Sequence, residues 1–202
     1  REAAGTLTES EKTFLALLST VDADLADFET ANFERLTREL EGAANGITDQ
    51  VFEYWTQNQD LRVEIRVSNA DPNDEPPLNQ GPIVNIRIYN PRHRVTVPFD
   101  ERSRGFVWFF SFFAYFSNIE QQAGRRTILL LDEPGLALHA TAQGDFLRFI
   151  DDELTKDHQV LYTTHSPFLV RPDRFEQVRT VQDVDGKGTQ ISPDVFRTDS
   201  ET

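Results

Sequence analysis

The clearest hydrophobic pattern in the chain is a short run that is apolar at every position, from Ile128 to Leu131. A run without polar alternation predicts a strand buried on both faces, as in the middle of a parallel sheet covered by helices. Asp132 and Glu133 follow this run directly, and open α/β sheets bind their ligands at the carboxyl ends of such strands. We therefore expect the chain to be organised around this strand and the acidic pair at its end.

A second buried strand is predicted over residues 159–164, after a helix over about residues 140–154. Short connections between strand, helix and strand predict a right-handed parallel crossover. His165 ends the second strand, so we expect it at the same edge of the sheet as the acidic pair. This is an α/β unit with parallel core strands.

The first 59 residues are predicted to be helical, because apolar side chains recur at roughly helical spacing over residues 14–40. Gly42 and Gly46 predict a break, and a second helix is expected over residues 48–57. The resulting helical hairpin is open to three interpretations: an ordinary structural element, a partner-binding surface or the foot of a longer coiled arm.

The next segment alternates apolar and polar side chains, which predicts a half-buried antiparallel strand over residues 61–68. Two further strands are expected over residues 83–89 and 94–97. Together the patterns predict four segments: a helical arm or hairpin over residues 1–59, an antiparallel strand layer over 60–98, an α/β lobe over 99–192 and a loose tail over 193–202.

Residues 106–116 are almost wholly apolar and aromatic, which predicts a buried helix. Ser103 is the expected N-cap, and Gly105 lies in the first turn, where a side chain would block the approach of a ligand. Free N–H groups at the positive end of a helix form an anion site. The alternative is a capped core helix without a ligand, and both remain open.

The amino-acid composition argues against several classes of protein and of binding site. The chain has 34 acidic against 20 basic residues and a net charge of −14, which argues against a stand-alone DNA-binding module. It has no cysteine, so disulfides and thiolate metal sites are excluded. It shows no signal peptide or membrane-spanning run, so we expect a cytoplasmic protein with no membrane partner. It has no methionine even at position 1, so we expect a piece of a longer gene product.

Three side chains at the predicted sheet edge suit phosphoryl chemistry. Asp132 can hold Mg²⁺, Glu133 can orient and deprotonate a water that attacks a γ-phosphate, and His165 can hydrogen-bond that phosphate. A metal-dependent hydrolase site built from the same three residues is a further alternative.

The motifs as a set resemble a known family. Ile128-Leu-Leu-Leu-Asp-Glu-Pro134 resembles the Walker B motif of ABC-type ATPases, Thr163-Thr-His-Ser-Pro167 their switch-histidine loop, and Arg102-Ser-Arg-Gly105 their signature motif. The spacing is typical of the OLD-family and RecF/SMC-like branch, and the resemblance covers roughly residues 48–192. It implies a P-loop NTPase fold of the ABC type.

The resemblance also implies roles for individual residues. Asp132 would coordinate Mg²⁺, Glu133 would be the general base and His165 would contact the γ-phosphate of ATP. Ser103 and Gly105 would contact ATP held by the opposite subunit, because two heads of this family enclose two nucleotides. A second ATPase head, with a homodimer as the expectation, is therefore an implied partner.

A phosphate loop of the form Gly-x-x-x-x-Gly-Lys-Ser/Thr is missing from this sequence. The segment Asp185-Gly-Lys-Gly-Thr189 resembles one superficially, but we interpret it as a hairpin turn. The chain therefore resembles the C-terminal lobe of a split head. It would be inactive alone and would need an N-terminal phosphate-loop lobe, and the resemblance further implies a TOPRIM nuclease module and DNA as partners. The alternative is a non-catalytic scaffold or interaction lobe.

Overall fold

A computed structural model of the chain describes residues 33–75, 79–123 and 126–193. The chain divides into two compact units, residues 1–163 and residues 164–202, and each is treated by itself. The helix predicted before residue 33 and the tail predicted after residue 193 lie outside the described residues.

Helix α1 runs without interruption over Phe33–Tyr54, so the break predicted at Gly42 and Gly46 is wrong. Both glycines lie on the exposed side of the helix. Each costs about 1 kcal/mol relative to alanine in a helix. The opposite side is buried at helical spacing, and tertiary packing of such a face outweighs that cost. Its buried residues include Leu40, Ala44, Ile47 and Val51.

Three antiparallel strands follow in the order β1 (Arg62–Asn69), β2 (Pro82–Asn90) and β3 (Val95–Pro98), which confirms the predicted strand layer. Strands β1 and β2 are in register with Val63 opposite Ile88. Both of these residues are buried. The hydroxyl of Thr48 on α1 accepts a hydrogen bond from the N–H of Val63 at 3.1 Å, which joins α1 to the layer.

Helix α2, Arg104–Ala123, forms the centre of an aromatic core, as the apolar run predicted. Phe106 is fully buried, and its ring lies 6.0 Å from that of Phe52 in the last turn of α1 and 5.4 Å from that of Trp55 directly after α1. On another side of α2, the ring of Trp108 meets that of Phe146 at 5.1 Å, edge to face. Aromatic contacts therefore join α2 both to α1 and to the helix that follows the central strand.

The predicted strand–helix–strand unit is confirmed. Strand β4 (Ile128–Leu131) pairs in parallel with β5 (Gln159–Tyr162). Helix α3, Ala140–Phe149, connects them, and it continues through a π-helical turn over Ile150–Leu154. The carboxyl ends of β4 and β5 therefore lie side by side.

Strand β4 is not buried on both faces in this chain, so that expectation is wrong. Leu129 is 7% exposed, whereas Ile128 and Leu130 are 61% and 75% exposed. Leu161 of β5, which is paired with Leu130, is 48% exposed. Within the described residues of the first unit, this side of the strand pair is therefore largely open.

The second unit contains the hairpin formed by β6 (Thr180–Val184) and β7 (Gly188–Ser192). Its turn is closed by a hydrogen bond from the N–H of Lys187 to the carbonyl of Val184 at 2.9 Å. Gly186 has a φ of +72°, which suits a tight turn. The interpretation of residues 185–189 as a turn is thereby confirmed.

Candidate functional site

The acidic pair lies directly at the carboxyl end of β4. Asp132 is exposed and Glu133 is half-buried, whereas Pro134 and Gly135 after them are buried. The backbone of Glu133 has a φ of +47°, a left-handed conformation that residues other than glycine rarely adopt. Outliers of this kind persist only where the surroundings enforce them, and they cluster at functional sites.

Thr163, the residue directly after β5, contacts both members of the pair. Its hydroxyl donates a hydrogen bond to Oδ1 of Asp132 at 2.6 Å and accepts one from the N–H of Glu133 at 3.0 Å. Its own N–H donates to the carbonyl of Leu131 at 3.0 Å and continues the parallel ladder. The ends of the two strands are therefore joined through backbone and side chain.

The donor set at this edge suits Mg²⁺ bound together with a phosphate. Mg²⁺ is held in proteins by one or two carboxylates, with waters and substrate phosphates completing its octahedron. Asp132 supplies such a carboxylate, and the contact with Thr163 engages only its Oδ1. Among the described residues, no group of three or more His, Asp or Glu side chains is arranged to hold a metal ion.

Ser103 and Gly105 lie at the start of α2. The hydroxyl of Ser103 accepts a hydrogen bond from the N–H of Phe106 at 3.3 Å, which confirms Ser103 as the N-cap. Gly105 faces the segment that follows the acidic pair, because a β-carbon at Gly105 would lie 2.8 Å from the carbonyl oxygen of Ala137. Close packing therefore gives one reason for a glycine here, and the predicted contact of Gly105 with a nucleotide stays a prediction.

His165 is exposed and belongs to the second unit. The loop that carries it is hydrogen-bonded internally, from the N–H of Ser166 to the hydroxyl of Thr164 at 3.0 Å and from the N–H of Phe168 to the hydroxyl of Ser166 at 3.3 Å. Its meeting with the acidic pair stays a prediction from its position two residues after Thr163.

The end of α1 is fastened to α3, in a set of contacts that we term the α1–α3 junction. Nη2 of Arg148 donates to the carbonyls of Glu53 and Tyr54 at 2.8 and 3.0 Å, and these carbonyls have no partner within the helix. The carboxylate of Asp145, which is 7% exposed, accepts from both the N–H and the hydroxyl of Thr56.

The junction has two further contacts, one at each end of α3. The hydroxyl of Tyr54 donates to Oε1 of Glu153 in the π-helical turn at 2.8 Å. Burial, reinforced by this hydrogen bond and by the negative charge of Glu153, raises the pKa of Tyr54 well above its ordinary value. His139, which precedes α3, lies with Nε2 at 2.8 Å from Oε1 of Gln57.

Sequence reasoning assigned no role to Thr163 or to the junction. Thr163 could have been found, because the parallel register that pairs Leu131 with Tyr162 sets Thr163 beside Asp132. Arg148 and Asp145 carry no such signal, since a charged residue on a helix gives no indication of its tertiary partner.

The parallel strand pair that ends in the acidic residues, the aromatic core helix and the antiparallel layer together place the chain in one structural class: it has the P-loop NTPase fold of ABC-type ATPase heads. The solved structure of an SmcHead bound to the C-winged helix domain of ScpA has this fold. It superposes with a TM-score of 0.53 at 13% identity, covering 89% of this chain and 48% of that one.

The chain belongs to the family described as "AAA domain, putative AbiEii toxin, Type IV TA system", whose model matches residues 6–171. It is similar to an uncharacterised protein of Methanocaldococcus jannaschii, with 26% identity over 80% of this chain and 40% of that protein. It is also similar to the OLD nuclease of Thermus scotoductus, with 29% identity over 59% of this chain and 21% of that protein. The chain thus spans less than half the length of the curated relatives that it matches.

No helix in the described part of the chain has both the length and the hydropathy needed to cross a membrane.

Proposed function

We propose that this chain is the C-terminal lobe of an OLD-like ABC-type ATPase, which hydrolyses ATP with Mg²⁺ once a phosphate-loop lobe and a second head complete the site. The observation that carries the proposal is the acidic pair at the carboxyl end of a parallel strand, with both of its members hydrogen-bonded to Thr163 of the neighbouring strand. Open α/β sheets bind ligands at this position.

In the proposed reaction, the carboxylate of Glu133 orients the attacking water and takes up its proton as the water oxygen bonds to the γ-phosphorus. The bond from that phosphorus to the bridging oxygen of ADP breaks, and ADP and phosphate are released. Asp132 would hold Mg²⁺, and the bound ion would supply positive charge to neutralise the phosphates of ATP. His165 donates a hydrogen bond to the γ-phosphate.

The start of α2 would act on the second nucleotide of a head dimer. Ser103 and Gly105 present the positive end of the helix to the γ-phosphate held by the opposite head. The hydrogen bond from the N–H of Phe106 to the hydroxyl of Ser103 supports the position of Ser103 at this helix end. The close approach of Gly105 to the backbone of Ala137 ties the start of α2 to the segment that follows the acidic pair. Chemistry at one nucleotide would then be coupled to the position of the other head.

The partner lobe is supported by the uncovered side of the β4–β5 pair. Parallel strands are stable when both of their faces are covered, yet Ile128 and Leu130 are largely exposed. A lobe that supplies the phosphate loop and packs on this side would bury them. The similarity to relatives more than twice as long as the matched region agrees with a further lobe.

A nuclease module and DNA are further proposed partners, in a cytoplasmic DNA-processing or anti-phage defence system. They are motivated by the similarity to an OLD nuclease. The net charge of −14 indicates that contacts with DNA phosphates come mainly from the other parts of the assembly. ATP-driven closure of two heads would reach these parts through α1 and the residues before it.

The second candidate function is a non-catalytic scaffold lobe of the same assembly. The absence of a phosphate-loop motif from this sequence favours it. The two candidates differ in one respect: a scaffold has no use for a general base, so its partners' activity would not depend on Glu133.

ATP hydrolysis by the chain combined with the proposed phosphate-loop lobe tests the proposal. We expect turnover that requires both lobes and Mg²⁺, and a loss of about a hundredfold or more in Glu133→Gln, since general-base catalysis contributes about 10²–10⁴-fold. The matched control is Glu41→Gln, because Glu41 is an exposed glutamate on α1. Turnover that is indifferent to Glu133→Gln, or none from well-folded lobes, would leave the scaffold function.

A further inference from the structure

Thr163 is held by three hydrogen bonds to three consecutive residues at the end of β4. Its N–H donates to the carbonyl of Leu131 at 3.0 Å, its hydroxyl donates to Oδ1 of Asp132 at 2.6 Å, and the same hydroxyl accepts from the N–H of Glu133 at 3.0 Å. The backbone contact places Cα, so the hydroxyl has little freedom of position. The hydroxyl therefore holds Oδ1 of Asp132 and the N–H of Glu133 in defined positions.

The contact with Asp132 restricts the direction of its carboxylate. A hydroxyl has a single proton, and here that proton is donated to Oδ1. Hydrogen bonds to an ionised acceptor are short and about twice as strong as those between neutral groups. Because Oδ1 is fixed, Oδ2 of Asp132 is left in a defined direction for a metal ion.

The contact with Glu133 supports an unusual backbone. Glu133 has a φ of +47°. Residues with a β-carbon avoid such values, because the β-carbon comes too close to the following carbonyl oxygen. The hydroxyl of Thr163 gives the N–H of Glu133 an acceptor in this conformation. Without that acceptor, the backbone of Glu133 can relax towards a negative φ. The Cα–Cβ bond would then point in another direction, and the carboxylate would move with it.

We propose that Thr163 is a positioning residue that sets both members of the catalytic pair at once, the direction of the Asp132 carboxylate and the backbone of Glu133. This rests on the proposed function, because the pair needs an exact arrangement only where it acts on a bound phosphate. It adds a residue directly after the neighbouring strand, whose hydroxyl contacts both members of the pair.

Thr163→Val and Thr163→Ser separate the hydroxyl from the shape of the side chain. Valine matches threonine in shape without the hydroxyl, and serine keeps the hydroxyl. In the assembled two-lobe ATPase we expect kcat to fall by about tenfold or more in Thr163→Val, with a higher half-saturating Mg²⁺ concentration and a KM for ATP within about threefold. Thr163→Ser should keep kcat within about threefold of the wild type.

Thr155→Val is the matched control, since its hydroxyl bonds only to a carbonyl one turn earlier on the exposed side of the chain. It should leave all three quantities unchanged. Amide hydrogen exchange at Glu133, followed by NMR in the chain alone, is a readout that needs no turnover. We expect exchange at this amide to accelerate in Thr163→Val and to remain slow in Thr163→Ser.

The possible failures are distinguishable. A wild-type assembly that does not hydrolyse ATP overturns the proposed function. An active assembly in which Thr163→Val keeps its kcat, or in which the valine and serine variants lose the same activity, overturns only the positioning role. Unchanged protection of the Glu133 amide in Thr163→Val overturns it as well.

Discussion

Replacing Gly105 with alanine tests whether the start of α2 is packed against the segment that follows the acidic pair. A β-carbon at Gly105 would lie 2.8 Å from the carbonyl oxygen of Ala137 and 3.4 Å from Cδ2 of Leu138. The first distance is shorter than real β-carbon contacts, and the atom it meets belongs to the backbone. The helix or the segment must therefore shift.

The magnitude follows from comparing two glycines in helices. Gly144 lies in α3 with no atom within 4 Å of the position that a β-carbon would take. Both substitutions gain up to about 1 kcal/mol because alanine favours a helix. Only Gly105→Ala suffers overpacking, which costs about 1–3 kcal/mol. We therefore expect Gly105→Ala to be less stable than Gly144→Ala by about 1–3 kcal/mol, with Gly144→Ala more stable than the wild type.

Urea denaturation followed by tryptophan fluorescence measures this difference. The chain has two tryptophans, and both Trp55 and Trp108 lie in the aromatic core around α2. Their emission therefore reports on the unit that contains Gly105. Equal unfolding free energies for the two alanine variants would refute the close contact between Gly105 and Ala137.

Three other predictions concern α1 and the junction. Asp145→Ala should lower the unfolding free energy by about 1–3 kcal/mol in urea denaturation, because the N–H and hydroxyl of Thr56 lose their acceptor; an unchanged midpoint would contradict this. Gly46→Ala should raise it by up to about 1 kcal/mol, since the helix is continuous and no atom lies within 4 Å of the new β-carbon; destabilisation would indicate a break after all. The pKa of Tyr54 is raised in the folded state, so the unfolded chain loses the phenol proton first as the pH rises above 10. The unfolding free energy of the wild type should therefore fall by up to about 1.4 kcal/mol per pH unit more than that of Tyr54→Phe. Parallel curves of unfolding free energy against pH for the two proteins would exclude an effect of Tyr54.

Local periodicity was enough to predict most of the elements. The alternation around Val63, the aromatic run around Phe109 and the two apolar strands that form the parallel pair each produced the predicted element. These predictions succeed because the spacing of buried side chains is a property of the element itself, 2 residues for a strand and 3.6 residues for a helix. The acidic pair followed from the same logic, since its position depends only on where β4 ends.

The failures have different physical reasons. The break at Gly42 and Gly46 was wrong because glycine propensity is a weak local effect, and burial of the opposite face of α1 outweighs it. The prediction that β4 is buried on both faces was wrong for the described residues, which cover only one of its faces. An apolar pattern reflects every neighbour that a strand packs against, including neighbours outside those residues. Thr163 was missed because its role depends on register between strands.

The uncovered side of the β4–β5 pair has a consequence for how the protein is made. Within the described residues the pair also has two outer edges, and unpaired strand edges next to apolar surface promote aggregation. A newly synthesised chain would carry this hazard until the proposed phosphate-loop lobe covers that side. We therefore expect this lobe to be synthesised in step with the chain, and co-expression of the two, rather than separate refolding, to give soluble material in quantity.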